Sequence, residues 1–145
     1  MRYFYILILL LPFNSLALET DNDRLNCFAK HLDTDEEVAV KITSAISSKK
    51  IATAQWPLGY PTITINDNDF LKLPKNARQF IYYHECAHLK YRIKDEFKTD
   101  CKSIELMKDK HQIKEIDVRK LARTLIKEFG MSHRWSALLQ CEEFF

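Results

Sequence analysis

Lys75-Asn76-Ala77-Arg78-Gln79-Phe80-Ile81-Tyr82-Tyr83-His84-Glu85-Cys86-Ala87-His88-Leu89-Lys90-Tyr91 is the stretch on which the reading of this chain turns. Ala77, Phe80, Ile81, His84, His88 and Tyr91 recur at spacings of three and four, the period of one helix face. The spacing predicts a helix over Lys75 to Tyr91 with both histidines on its inward side, and Pro74 suits its first turn. Working towards the C-terminus, Asp95 can cap a second helix carrying Phe97, Cys101, Ile104 and Met107. A third is predicted from about Lys114 to Phe129, with Gly130 as its stop, and Ser132 can cap a last one with Trp135, Leu138 and Leu139 on its apolar side.

Towards the N-terminus the texture changes. Across residues 51–65 Ala and Thr alternate, Pro57, Gly59 and Pro61 punctuate, and Thr62 to Ile65 is β-branched throughout, which predicts two short strands around a turn. Before that, Thr34 or Asp35 can cap a helix with Val38, Ile42, Ala45 and Ile46 as its apolar stripe, ending near Lys49. On this reading residues 51–65 are the only sheet-like region. The fold class is α+β, mostly helical, with a short β-sheet or hairpin before the helix that holds the histidines.

The chain has 145 residues, 22 Lys+Arg against 20 Asp+Glu, and 46% hydrophobic residues, the profile of one ordinary globular domain. A net charge of +2 is too weak for a field-driven nucleic-acid or membrane binder. Two glycines, Gly59 and Gly130, leave no phosphate-cradling loop. Residues 3–13 are almost unbroken apolar, follow Arg2, and precede Ser15-Leu16-Ala17, the pattern of a signal peptide cleaved after Ala17. The expected organisation is a signal over residues 1–17 and a single domain over residues 18–145, secreted or periplasmic, a monomer without stable membrane insertion. Four cysteines, all after the signal and none in a CxxC pair, fit two structural disulfides of an exported chain.

His84-Glu85-Cys86-Ala87-His88 places two imidazoles one helical turn apart, nearly one above the other, so both can converge on one tetrahedral Zn²⁺. Glu85, one step around the helix, can reach a water at the ion without becoming a ligand. That suits hydrolysis, with zinc lowering the water's pKa toward ~7 and the carboxylate acting as general base. Glu96 and Asp100, four apart near the start of the next helix, share a face. Glu96 can be the third ligand while Asp100 accepts the outer N–H of a ligand histidine. Seven residues separate His88 from Glu96, so the chain must reverse tightly between them, which leaves Asp95 a rival ligand.

HExxH followed by Glu96-Phe97-Lys98-Thr99-Asp100-Cys101 resembles the zincin metallopeptidases of gluzincin type, whose HExxH helix is followed by an ExxxD helix, and is most similar to small exported bacterial proteins with an ExxxDC segment. The specific match covers residues 80–104. The resemblance implies a minimal zincin domain in which His84, His88 and Glu96 hold zinc, Asp100 supports them and Glu85 is the general base. It also implies that Thr62 to Ile65 is the strand bordering the cleft, the edge on which an extended peptide or protein substrate would pair. Related peptidases use histidine or tyrosine to stabilise the oxyanion; Tyr83, Tyr91, His111 and His133 are available, and His133, near a helix start, has the best case.

If the two helix faces meet at the metal, Cys86 lies ~180° around its helix from the histidines and Cys101 more than ~100° from Glu96. A Cys86–Cys101 bridge is then awkward, and the expectation is that each reaches a chain terminus instead; which terminus each takes stays open, with Cys27–Cys86 and Cys101–Cys141 preferred. His31 reads as an ordinary surface histidine, and Trp56 and Tyr60 as packing residues or walls of a groove. The functional expectation is an exported zinc peptidase acting on a peptide or protein. The alternative is a zinc-stabilised binding module in which Glu85 has no chemical part.

Overall fold

The computed structural model describes residues 19–20, 23–45, 49–130 and 132–144, so the predicted signal over residues 1–17 lies outside the described residues. In chain order the strands are β1 (Glu19–Thr20), β2 (Asp23–Arg24), β3 (Phe28–Lys30), β4 (Glu37–Ala39), β5 (Lys41–Ser44), β6 (Ala52–Gln55) and β7 (Thr62–Ile65). The helices are α1 (Asp67–Phe70), α2 (Lys75–Tyr91), α3 (Glu96–His111), α4 (Glu115–Phe129) and α5 (Ser132–Ala137), the last running into a 3-10 segment, Leu138–Phe144. The class is α+β, and among the described residues no helix is long and apolar enough to cross a membrane.

The helical half follows its apolar periodicity. Phe80, Leu89, Ile104, Leu121, Leu125 and Leu138 are buried in one core to which α2, α3, α4 and the C-terminal segment all contribute. Asp95 caps α3 by accepting the Lys98 N–H at 2.8 Å. Gly130 ends α4 at φ +65°, a left-handed conformation that costs a glycine little, and donates its N–H to the Ile126 carbonyl.

The N-terminal half corrects the sequence reading. No helix forms over residues 34–45; β4 and β5 stand there instead, β4 paired antiparallel with β3 and β5 parallel with β7. Val38, Val40 and Ile42 also alternate at period two with Glu37, Ala39 and Lys41, and β-branched side chains favour the pleated alternative. Residues 51–65 do form two strands around a turn, yet they are not the only sheet. The three-stranded sheet has the order β5-β7-β6, so Thr62–Ile65 is its centre, hydrogen-bonded on both sides, and the open edge nearest α2 belongs to β6.

His31 is a further correction, being buried rather than on the surface. Its Nδ1 faces the N–H groups of Asp33 and Thr34, and its ring packs edge-on to Tyr60 at 4.5 Å. Gly59 makes this approach feasible: it sits at φ +81°, and a Cβ there would lie 2.6 Å from the His31 ring.

Two disulfides join Cys27 to Cys86 and Cys101 to Cys141, the preferred one of the two pairings that the helix faces left open. The first ties the N-terminal strands to the back of α2, and the second ties the C-terminal segment to α3. Crosslinks closing loops of this length contribute about 4 kcal/mol each. Mass mapping of unreduced peptides should recover both pairs, and replacing Cys101 and Cys141 with serine should lower the melting temperature; a dominant Cys86–Cys101 bridge would contradict the packing of α2 on α3.

Candidate metal centre

The reversal between α2 and α3 takes only residues 92–95. Leu89 to Tyr91 are still helical, Arg92 adopts the left-handed conformation that ends α2, and Asp95 starts α3. The Ile93 carbonyl in that turn lies 2.7 Å from His88 Nδ1, so the turn is fastened to the helix it follows. The first residue of α3, Glu96, is thereby placed opposite His84 and His88.

Among the described residues, His84, His88 and Glu96 offer ligand atoms that all lie within 4.8 Å of one another. His84 Nε2 and His88 Nε2 are 3.0 Å apart, His84 Nε2 and Glu96 Oε2 3.2 Å, and His88 Nε2 and Glu96 Oε1 3.6 Å. Ligands about 2.0–2.1 Å from one tetrahedral zinc stand about 3.3 Å apart, so the spacing fits that ion. Asp95 is engaged in capping α3, and Glu96 completes the group.

The hydrogen bonds set the tautomers. His84 Nδ1 lies 2.7 Å from Asp100 Oδ1, and His88 Nδ1 faces the Ile93 carbonyl, which can only accept. Each neutral ring therefore carries its proton on Nδ1 and turns the Nε2 lone pair inward, towards the other ring and the Glu96 carboxylate. Converging acceptors of this kind repel unless a cation or proton sits among them, so the donor set suits a divalent metal. Thr99, buried behind the site, bonds the Asp95 carbonyl through Oγ1 and lies 3.4 Å from His88 Nδ1.

Asp100 is buried without exposure and is held from two sides. Arg134 on α5 donates Nε to Oδ2 and Nη2 to Oδ1, both at 2.7 Å, while His84 contacts Oδ1. Burial pushes the Asp100 carboxyl upward, but the hydrogen bonds from Arg134 and His84 outweigh it and hold the group below the usual carboxylate range. The same guanidinium reaches Glu96 Oε2 at 3.1 Å and lies over the Trp135 ring.

Glu85 sits between the histidines in sequence and lines the same cleft. Burial raises its carboxyl above the usual range, opposed by the two imidazoles and by a hydrogen bond from the backbone of Ala54 in β6. The cleft, of about 800 Å³, runs between α2, the β6 edge, the turn after α2 and α5. His133 is exposed and, like Tyr83, Tyr91 and His111, does not line it. Neighbours on a helix point ~100° apart, so when Arg134 turns to Asp100 His133 turns away. Tyr83 and His111 bond each other at 3.0 Å elsewhere on α2 and α3.

Arg134 is the residue that sequence reasoning missed. The signal was the need of a buried Asp100 for a counter-charge, but which of the 22 Lys+Arg supplies it depends on long-range packing. The Ile93 carbonyl carries no side-chain signal at all.

Purified protein should bind about one zinc per chain, and His84→Ala, His88→Ala or Glu96→Ala should each abolish binding, measured by metal analysis after dialysis. Asp100→Asn and Arg134→Ala should weaken affinity by about 10- to 100-fold, the usual cost of removing support behind a ligand, whereas Asp95→Asn should retain the metal. Comparison with family models, curated proteins and solved structures finds no match to this chain.

Proposed function

We propose that this chain is an exported, zinc-dependent peptidase of HExxH type. The carrying observation is the convergence of His84 Nε2, His88 Nε2 and Glu96 in an open cleft that also contains Glu85. The resemblance to gluzincins supports the same assignment, and two disulfides suit an oxidising compartment outside the cytosol.

Zinc in this site would supply a Lewis acid and a water acidic enough to react near neutral pH. His84 and His88 would hold it through Nε2 and Glu96 through its carboxylate. Asp100 and the Ile93 carbonyl keep the ring protons on Nδ1 and fix the imidazole planes. Arg134 holds Asp100 ionised and restrains Glu96, acting as a positioning residue. Glu85, from the turn between the two histidines, takes the proton of the attacking water and delivers it to the leaving amine.

Substrate would pair with β6 rather than with Thr62–Ile65. Ile51 accepts the Asn66 N–H at 2.8 Å, so alternate residues Ile51, Thr53 and Gln55 direct their backbone groups at β7. Ala52 and Ala54 direct theirs outward, consistent with the Ala54 bond to Glu85. Their small side chains let an extended peptide approach that edge.

Glu85→Gln should leave zinc content and melting temperature near wild type while cleavage of a mixed peptide library, read by mass spectrometry near neutral pH, falls by about 10² or more. Equal cleavage by both proteins would assign the activity to another source. Bound zinc with no cleavage across a broad library would favour the binding-module reading instead.

A further inference from the structure

The two ends of the cleft differ in chemistry. A helix rises about 1.5 Å per residue, so Phe80 to Tyr91 on α2 spans about 16 Å, room for about five residues of extended peptide. On the near side of His84 stands an aromatic wall: the Phe80 ring is 6.1 Å from the His84 ring and 5.9 Å from Trp135, which in turn lies 6.0 Å from Phe129. Beyond His88 the lining becomes cationic, with Arg92 and Lys94 flanking the Ile93 carbonyl that holds His88.

The charge is not balanced within the cleft. Arg92, Lys94 and Arg134 line it beside two carboxylates, Glu85 and Glu96, both assigned to the chemistry. Arg134 is committed to Asp100 and Glu96. Arg92 is 3.5 Å from Asp35, an exposed carboxylate that also pairs with Lys30. Lys94 has no ion-pair partner among the described residues, the adjacent Asp95 being turned to the Lys98 N–H. A divalent metal would add further positive potential at the centre.

We propose that the cleft selects peptides that are apolar on one side of the scissile amide and carry a carboxylate on the other, the carboxylate lying beyond His88 against Lys94 and Arg92. This rests on reading the cleft as the substrate site of a peptidase. Specificity then comes from position: an acidic side chain or a terminal carboxylate meets two cations, whereas a lysine meets repulsion. The aromatic wall takes the apolar half.

Binding can be read without turnover, because both tryptophans of the chain, Trp56 and Trp135, line the cleft. Zinc-loaded Glu85→Gln protein is titrated with blocked hexapeptides sharing one aromatic half and carrying glutamate, glutamine or lysine in the other, followed by tryptophan fluorescence. Glutamate peptides should bind about tenfold more tightly than glutamine peptides, lysine peptides should bind least, and the difference should shrink with added salt. A double charge reversal, Arg92→Glu with Lys94→Glu, checked for zinc content and circular dichroism, should invert the order of the glutamate and lysine peptides. Equal affinities, a preference that survives the reversal, or no binding of any peptide would overturn the proposal. Cleavage by wild-type protein is scored separately, so a cutting enzyme without acidic preference refutes only this inference, and acidic-selective binding without cutting refutes only the peptidase.

Discussion

The Asp100 carboxylate is the point at which three helices are tied together. It belongs to α3, contacts His84 of α2 and accepts both arms of Arg134 from α5, with no exposure to solvent. A charge taken out of water is tolerated only where its lone pairs are filled by donors, and removing one partner of such a pair typically costs about 3–5 kcal/mol. Packing of the helices and orientation of the histidine are therefore one arrangement. A shift of α5 would leave a buried anion uncompensated and release the ring it steers.

Legibility in the sequence followed the range of the interactions involved. The α2 helix was readable because its apolar period persists over seventeen residues, and α4 because Gly130 marks its end. HExxH was readable because one helical turn brings i and i+4 together without help from the rest of the fold. Residues 34–45 were not, since Val38 and Ile42 satisfy a helical stripe while Val38, Val40 and Ile42 satisfy a strand, and the choice belongs to the partners β3 and β7. The cleft edge failed for a similar reason: the β-branched run Thr62–Ile65 announces a strand but not its place in the sheet.

At the centre itself, the structure brings together the side chains that local geometry groups, His84, His88 and Glu96, whereas those delivered by tertiary structure were not legible. Glu96 arrives through a four-residue reversal and was visible in the ExxxD spacing. Arg134 arrives from the far end of the chain, and the neighbouring His133 was the more conspicuous residue only because histidine chemistry is easier to recognise than a salt bridge. The disulfides stood between these cases: helix angles excluded one pairing, and the two termini accounted for the others.

The tight turn between α2 and α3 also bears on the order in which the molecule assembles. The three candidate metal ligands, and Glu85 beside them, lie between residues 84 and 96, so bringing them together closes a very short loop at low entropic cost. Contacts of that range form quickly, whereas the bond from Arg134 to Asp100 spans 34 positions and the parallel pairing of β5 with β7 spans 21. A helix–turn–helix carrying all three candidate ligands is thus the most local unit of the site, shorter in range than the sheet or the docking of the C-terminal segment. A metal held there would need neither the sheet nor the C-terminal segment to gather its ligands, and Arg134 of α5 reaches that turn only through long-range packing.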